Sequence, residues 1–211
     1  MTEQMKKAML AGALIAIGAL FSMAAVRYGN VLQGFCFSVG LFGVLSCNAR
    51  LFTGQVLMVQ DVWDGRMPVT AMLGHWARTW TFNLIGAVAV ALVAHFAGMG
   101  TLPTTWTKTL APANVLLFRA VLCNVLVCMA VWCYRRTSGG PAEAMVSALL
   151  PVMCFVACGF EHSVANMFYM ALSAIEGLID IGGFAYVVGV TTLGNVIGGL
   201  AFSWLVHKRR A

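Results

Sequence analysis

Glu161 and His162 stand side by side in the run Phe155-Val-Ala-Cys-Gly-Phe-Glu-His-Ser-Val-Ala-Asn-Met-Phe168, inside a part of the chain that is otherwise apolar. One offers a carboxylate that can pair with a cation. The other offers an imidazole whose unperturbed pKa of about 6.5 lets it exchange a proton near neutral pH. At membrane depth an ionisable side chain must be paired or must face a water-filled path, so the pair marks a candidate pore or substrate site. Gly159, just before the pair, is suited to break a helix, and unwound backbone at that depth is tolerated only where it lines a cavity. Two roles compete for Glu161: a structural partner, turned away from the pore, that satisfies backbone or helix-terminus donors, and a proton relay to His162. Neighbouring residues on a helix or turn point in different directions, which favours the structural role.

Elements long enough to hold such a site in a bilayer are evident in the composition. The chain is 61% hydrophobic and 9% charged, with a mean hydropathy of +0.87, as expected of an all-α integral membrane protein. Apolar runs cover roughly 8–26, 31–49, 72–98, 114–134, 144–173 and 182–206, each near or above the ~20 residues that span as a helix. This predicts six transmembrane helices in a single transmembrane domain, 1–211. The first run follows Lys6 and Lys7 and is longer than the ~7–15 residues of a signal-peptide core, so it is expected to be retained. With six spans, Lys6, Lys7, Arg66, Arg78, Arg135, Arg136, Lys208, Arg209 and Arg210 share a side with both termini, against Arg27 and Lys108 opposite. Arg50 and Arg119 fall near or within spans. The positive-inside rule therefore predicts cytoplasmic termini, and a bacterial-type inner membrane is the expected location. The net charge of +6 is scattered rather than gathered on one soluble face, which argues against a nucleic-acid partner.

The two halves repeat. Asn83-Leu-Ile-Gly86 in the third span matches Asn195-Val-Ile-Gly198 in the sixth, and a similar but not identical offset pairs Leu51-Phe52-Thr53-Gly54 in the second with Phe160-Glu161-His162-Ser163 in the fifth. Three spans duplicate three spans, repeat one at about 1–100 and repeat two at about 110–211. An odd number inverts the second copy, and in inverted repeats the broken helices, here the second and fifth, meet near the midplane. Thr53 and His162 are thereby expected to face one another. Gly86, Gly198 and Gly199 read as small residues for close helix packing.

Other reactive types carry less. All seven cysteines lie in apolar runs without a CxxC pair, where free Cys behaves as a small hydrophobe. No metal or cofactor is expected. His75 and His207 are expected at the interface and His95 at the outer end of the third span. Trp76, Trp80, Trp106, Trp132 and Trp204 fall near span ends, as interfacial anchors do.

The segments Leu51-Phe-Thr-Gly54, Asn124-Val-Leu-Val-Cys128, Gly159-Phe-Glu-His-Ser-Val-Ala-Asn166-Met and Thr192-Leu-Gly-Asn-Val-Ile-Gly198 resemble those of the formate/nitrite transporter family, in order and over nearly the whole chain. The resemblance implies an aquaporin-like six-helix protomer in a homopentamer, each protomer with its own pore for formate, nitrite or hydrosulfide, often with proton coupling. It implies His162 as the central pore histidine with Thr53 and Asn124 as hydrogen-bonding neighbours, and Lys108 as a vestibule lysine that attracts anions. It places Phe37, Val127 and Phe155 in an outer constriction and Leu41, Leu51 and Phe52 in a cytoplasmic one. Glu161, Asn166, Asn83 and Asn195 are expected to support the site. Two departures stand out: Arg50 occupies a position where the family usually carries an acid, and the short N-terminus leaves no room for the cytoplasmic helix of formate channels.

Three function classes follow. The leading one is a channel or proton-coupled transporter for small monovalent anions, formate or nitrite, with hydrosulfide as the alternative within the family. A neutral-solute channel of aquaporin type would need neither Lys108 nor His162. A membrane enzyme or haem-bearing subunit would need His162 and His95 at matching depth, which their positions do not give. No enzyme activity is expected; the expected partners are a small anion, protons, membrane lipid and further copies of the chain.

Overall fold

The computed structural model describes residues 1–137 and 140–207; Lys208, Arg209 and Arg210 of the topology argument lie outside the described residues. In chain order the helices are α1 (Glu3–Ala24), α2 (Asn30–Ser46), α3 (Phe52–Gln55), α4 (Val59–Trp63), α5 (Val69–Phe96), α6 (Pro103–Trp106), α7 (Ala113–Arg136), α8 (Pro141–Ala157), α9 (Ser163–Ile175) and α10 (Ile181–Val206). Among the described residues α1, α5, α7 and α10 are long and apolar enough to cross a membrane, with 22 to 28 residues each. At ~1.5 Å rise per residue that is about 33–42 Å, against a hydrocarbon core of about 30 Å. None has a proline in its interior, so each backbone ladder runs unbroken and leaves no polar group to the lipid. The protein is a multi-pass membrane protein.

α1 packs on α2 and α5, and α7 on α8 and α10, while α9 lies against α5 and α10. Glycines set the closest approaches. A Cβ at Gly86 would meet the Met9 carbonyl, and one at Gly198 the Val121 carbonyl, so these pairs of helices touch backbone to backbone as small-residue packing allows.

The remaining helices are interrupted, and the two interruptions are built alike. After α8, Gly159 takes φ +67°; its N–H donates to the Val156 carbonyl at 3.0 Å and that of Phe160 to the Phe155 carbonyl at 2.9 Å. After α2, Asn48 takes φ +48°, with Asn48 N–H on the Leu45 carbonyl at 3.1 Å and Ala49 N–H on the Val44 carbonyl at 2.8 Å. Both are Schellman endings, one using Gly and the other Asn, the side chain that best tolerates a left-handed turn. The break expected within Leu51–Gly54 thus lies just before it, and helix resumes at Phe52.

Asn83 and Asn195 close these breaks. The Asn83 carbonyl oxygen accepts from Phe52 N–H at 2.8 Å, and its amide donates to the carbonyls of Arg50 at 2.9 Å and Ala8 at 2.7 Å. Asn195 accepts from Ser163 N–H at 2.8 Å and donates to Glu161 at 2.9 Å and Ala120 at 2.8 Å. Each asparagine therefore ties the first amide of a resumed helix, an unwound carbonyl and a long neighbouring helix. The correspondence aligns Leu51, not Thr53, with His162; the expected register was off by two residues. Asn195→Ala leaves one N–H and two carbonyls without these partners, at about 1–3 kcal/mol for a buried orphan. The expected result is a clear fall in the thermal midpoint in detergent, with Asn195→Asp in between because it keeps the acceptor. A parent-like midpoint for the Ala variant would show that the clamp is dispensable.

The loop between α5 and α7 is fastened as well. Thr101 N–H donates to the Glu176 carboxylate at 3.1 Å, and Tyr186 Oη–H donates to the Ala111 carbonyl at 2.8 Å. Between them runs the turn Thr107–Leu110, which carries Lys108. Trp76 departs from its expected interfacial place. It is buried, edge-on to Phe52, with its indole N–H on the Gln55 carbonyl at 3.0 Å, because the turns α3 and α4 fold back beneath α5.

Candidate functional site

His162 is the residue immediately before α9. Its backbone is extended (φ −97°, ψ 117°), which turns the side chain back across the helix start. Its Nδ1 accepts from Ala165 N–H at 3.2 Å and its Nε2 meets Thr53 Oγ1 at 3.0 Å. The amide contact needs a lone pair on Nδ1, so the proton of the neutral ring is assigned to Nε2 and is donated to Thr53. Thr53 Oγ1 then accepts, and its own hydroxyl hydrogen is left to serve another acceptor. His162, Thr53 and Asn124 are all buried.

Aromatic rings flank the imidazole. Phe155 stacks on it at 5.9 Å between centroids and 18° between planes, and Phe37 stands edge-on at 6.4 Å. Phe37 and Phe155 contact each other at 5.5 Å. All three belong to the wall of a cavity of about 360 Å³, together with Lys108, Arg119, Glu161, Asn166 and Tyr169. Val127, Leu41, Leu51 and Phe52 are buried in the same apolar core, away from that wall.

Asn124 braces the site from behind. Its amide donates to the carbonyls of Asn195 at 2.6 Å and Thr53 at 3.3 Å. Its Oδ1 is buried without a partner among the described residues.

Glu161 does not turn away from the cavity. Its carboxylate, almost wholly buried, accepts from Lys108 Nζ at 2.7 Å and from Asn166 Nδ2 at 3.0 Å. The extended backbone between Gly159 and α9 lets Glu161 and His162 both reach the cavity, which helical directions would forbid. Asn166 Oδ1 accepts from Lys108 at 3.0 Å, and the ammonium lies 5.0 Å above the Tyr169 ring. Lys108, expected as a vestibule lysine that attracts anions, is ion-paired to Glu161. His95 is exposed beside Phe96 and lies off the cavity wall.

The family model for formate/nitrite transporters matches residues 1–208. The chain belongs to this family. The nitrite transporter NirC of Salmonella typhimurium is 33% identical over 216 residues, spanning 93% of this chain and 78% of the relative. The formate channel FocA of Haemophilus influenzae is 30% identical over 227 residues, spanning 90% and 80%. Among solved structures, an FNT family ion channel superposes with a TM-score of 0.87 at 31% identity, over 95% of this chain and 87% of that one. A pentameric formate channel with formate bound shares the fold, with a TM-score of 0.80 at 23% identity over 96% and 94%. These relatives are transporters and channels rather than enzymes. Two parts of the site in this family member escape a reading by residue type. Asn48 is an unremarkable polar residue until its φ is known, and Arg119, six positions into α7, looks like a span-boundary charge.

Proposed function

We propose that this protein is an inner-membrane channel or proton-coupled transporter for small monovalent anions, formate or nitrite, with both termini cytoplasmic and a pore through each protomer of a homopentamer. The observation that carries the reading is the 3.0 Å meeting of His162 with Thr53 beside two phenylalanines on the wall of a cavity that also holds a lysine. The matched endings and asparagine clamps of the two halves support six spans in two inverted repeats, α3 and α9 being the resumed halves of the second and fifth.

In this reading Phe37, Phe155 and Val127 narrow the outer path, and Leu41, Leu51 and Phe52 the cytoplasmic one. Apolar rings exclude hydrated metal ions because stripping a charge of water is costly. A small anion reaching His162 is met by the Thr53 hydroxyl hydrogen and by the amide end of α9, where the helix dipole favours negative charge. A second proton on His162 must go to Nδ1 and replace the Ala165 contact, a cap of about 1 kcal/mol. An anion protonated there crosses the next apolar ring as a neutral acid.

Proteoliposomes should take up formate and nitrite above empty vesicles and leave glycerol outside. Glycerol uptake without anion uptake would replace this reading with a neutral-solute channel, and hydrosulfide uptake alone would select the other family substrate. Native mass spectrometry in detergent should show five chains; a dominant monomer or dimer would remove the pentamer.

A further inference from the structure

Three charged side chains belong to the outer cavity wall: Lys108, Glu161 and Arg119. Lys108 has little left to offer an arriving anion. Two of its ammonium hydrogens are committed, to Glu161 at 2.7 Å and Asn166 at 3.0 Å, and the Tyr169 ring covers a further side at 5.0 Å. Its charge is cancelled by a carboxylate at contact distance. Arg119 differs on each count. It is exposed, and among the described residues no ion pair or side-chain hydrogen bond engages its guanidinium. Its place is fixed by the backbone, since its carbonyl accepts from Glu161 N–H at 3.3 Å. The net positive charge of the wall therefore belongs to Arg119, which brings five donors in a planar fork suited to a carboxylate or nitrite.

We propose that Arg119 is the capture residue for the permeant anion in the outer vestibule, and that the Lys108–Glu161 pair shapes the wall without supplying its field; this rests on the anion-channel reading above. A single charge focused in a low-dielectric cleft raises the local anion concentration. Arg119 should thus act on half-saturation rather than on maximal flux.

The test is nitrite and formate influx into proteoliposomes over a range of concentrations, for the parent, Arg119→Gln and Arg119→Lys. Arg119→Gln should raise the half-saturating concentration about tenfold at low ionic strength, within the range that focusing provides, with maximal flux unchanged. Arg119→Lys should stay within about threefold of the parent, because it keeps the charge that does the focusing. Near 1 M of a non-permeant salt, where screening extends only ~3 Å, Gln variant and parent should converge. Parent-like half-saturation of Arg119→Gln at low salt, or a Lys variant as weak as the Gln variant, would overturn the assignment while leaving the channel reading intact. A parent that carries neither anion above empty vesicles would overturn both.

Discussion

His162→Phe is expected to reduce formate and nitrite flux roughly 100-fold while the assembly persists. The substitution keeps an aromatic ring where Phe155 stacks at 5.9 Å and Phe37 stands edge-on at 6.4 Å from the imidazole, so the packing tolerates it. What it removes is polar. Thr53 loses its partner, Ala165 N–H loses its cap, and the anion loses the proton-bearing group in the dry part of the path. A hydrogen bond to a charged group is worth about 1.5–3 kcal/mol, which is about 10- to 150-fold in rate, and the added apolar ring raises the barrier further. His162→Asn separates the two properties of the imidazole. Asn is a good residue before a helix, so it can take over the Ala165 contact and keep a hydrogen-bond donor, but it cannot titrate. The parent should transport faster as pH falls, because the imidazole can take up a second proton and an amide cannot. The Asn variant should keep part of the flux and lose that slope. Equal pH profiles for parent and Asn variant would show that protonation of His162 is not part of transport, and full flux in the Phe variant would put the site elsewhere.

The meeting of Thr53 with His162 was legible in the sequence because two signals agreed: an ionisable pair after a glycine, and a repeat that sets one interruption opposite the other. The repeat gave the right partners from a slightly wrong register. Helical repeats are matched by residue type, and Leu51, the structural counterpart of His162, shares nothing with it in type; what they share is an extended backbone before a resumed helix, with φ near −96° in both. Asn48 hid the first interruption for a related reason. A left-handed turn is announced by glycine and only permitted by asparagine. Glu161 was misdirected by assuming that adjacent residues point apart, which holds for helix and fails for the unwound stretch that Gly159 creates. The ion pair of Lys108 with Glu161 joins the loop between α5 and α7 to the unwound stretch before α9 across 53 positions, and no local pattern encodes such a contact.

That ion pair makes a sharp prediction about the vestibule. Lys108→Met is expected to reduce anion flux at least tenfold, through the charge it leaves behind more than the charge it removes. Glu161 is 4% exposed, and without Lys108 its carboxylate keeps, among the described residues, only the Asn166 amide at 3.0 Å. An anion approaching the Phe37–Phe155 constriction would then face an uncompensated negative charge beside its path. The lysine side chain is 20% exposed, so solvent screens part of that charge, and about 1.4 kcal/mol of added barrier suffices for the tenfold effect. The double variant Lys108→Met, Glu161→Gln restores neutrality and leaves a glutamine within reach of Asn166, so it should recover most of the flux. A coupling of roughly 0.5–3 kcal/mol between the two sites is expected from such a cycle. Glu161→Gln alone should lower the half-saturating concentration, because it frees the lysine to bind anions, and should slow release into the pore for the same reason. The opposite outcome is equally readable. If the double variant is as impaired as Lys108→Met, the lysine acts through its own charge on the anion, and the carboxylate serves only to hold it in place.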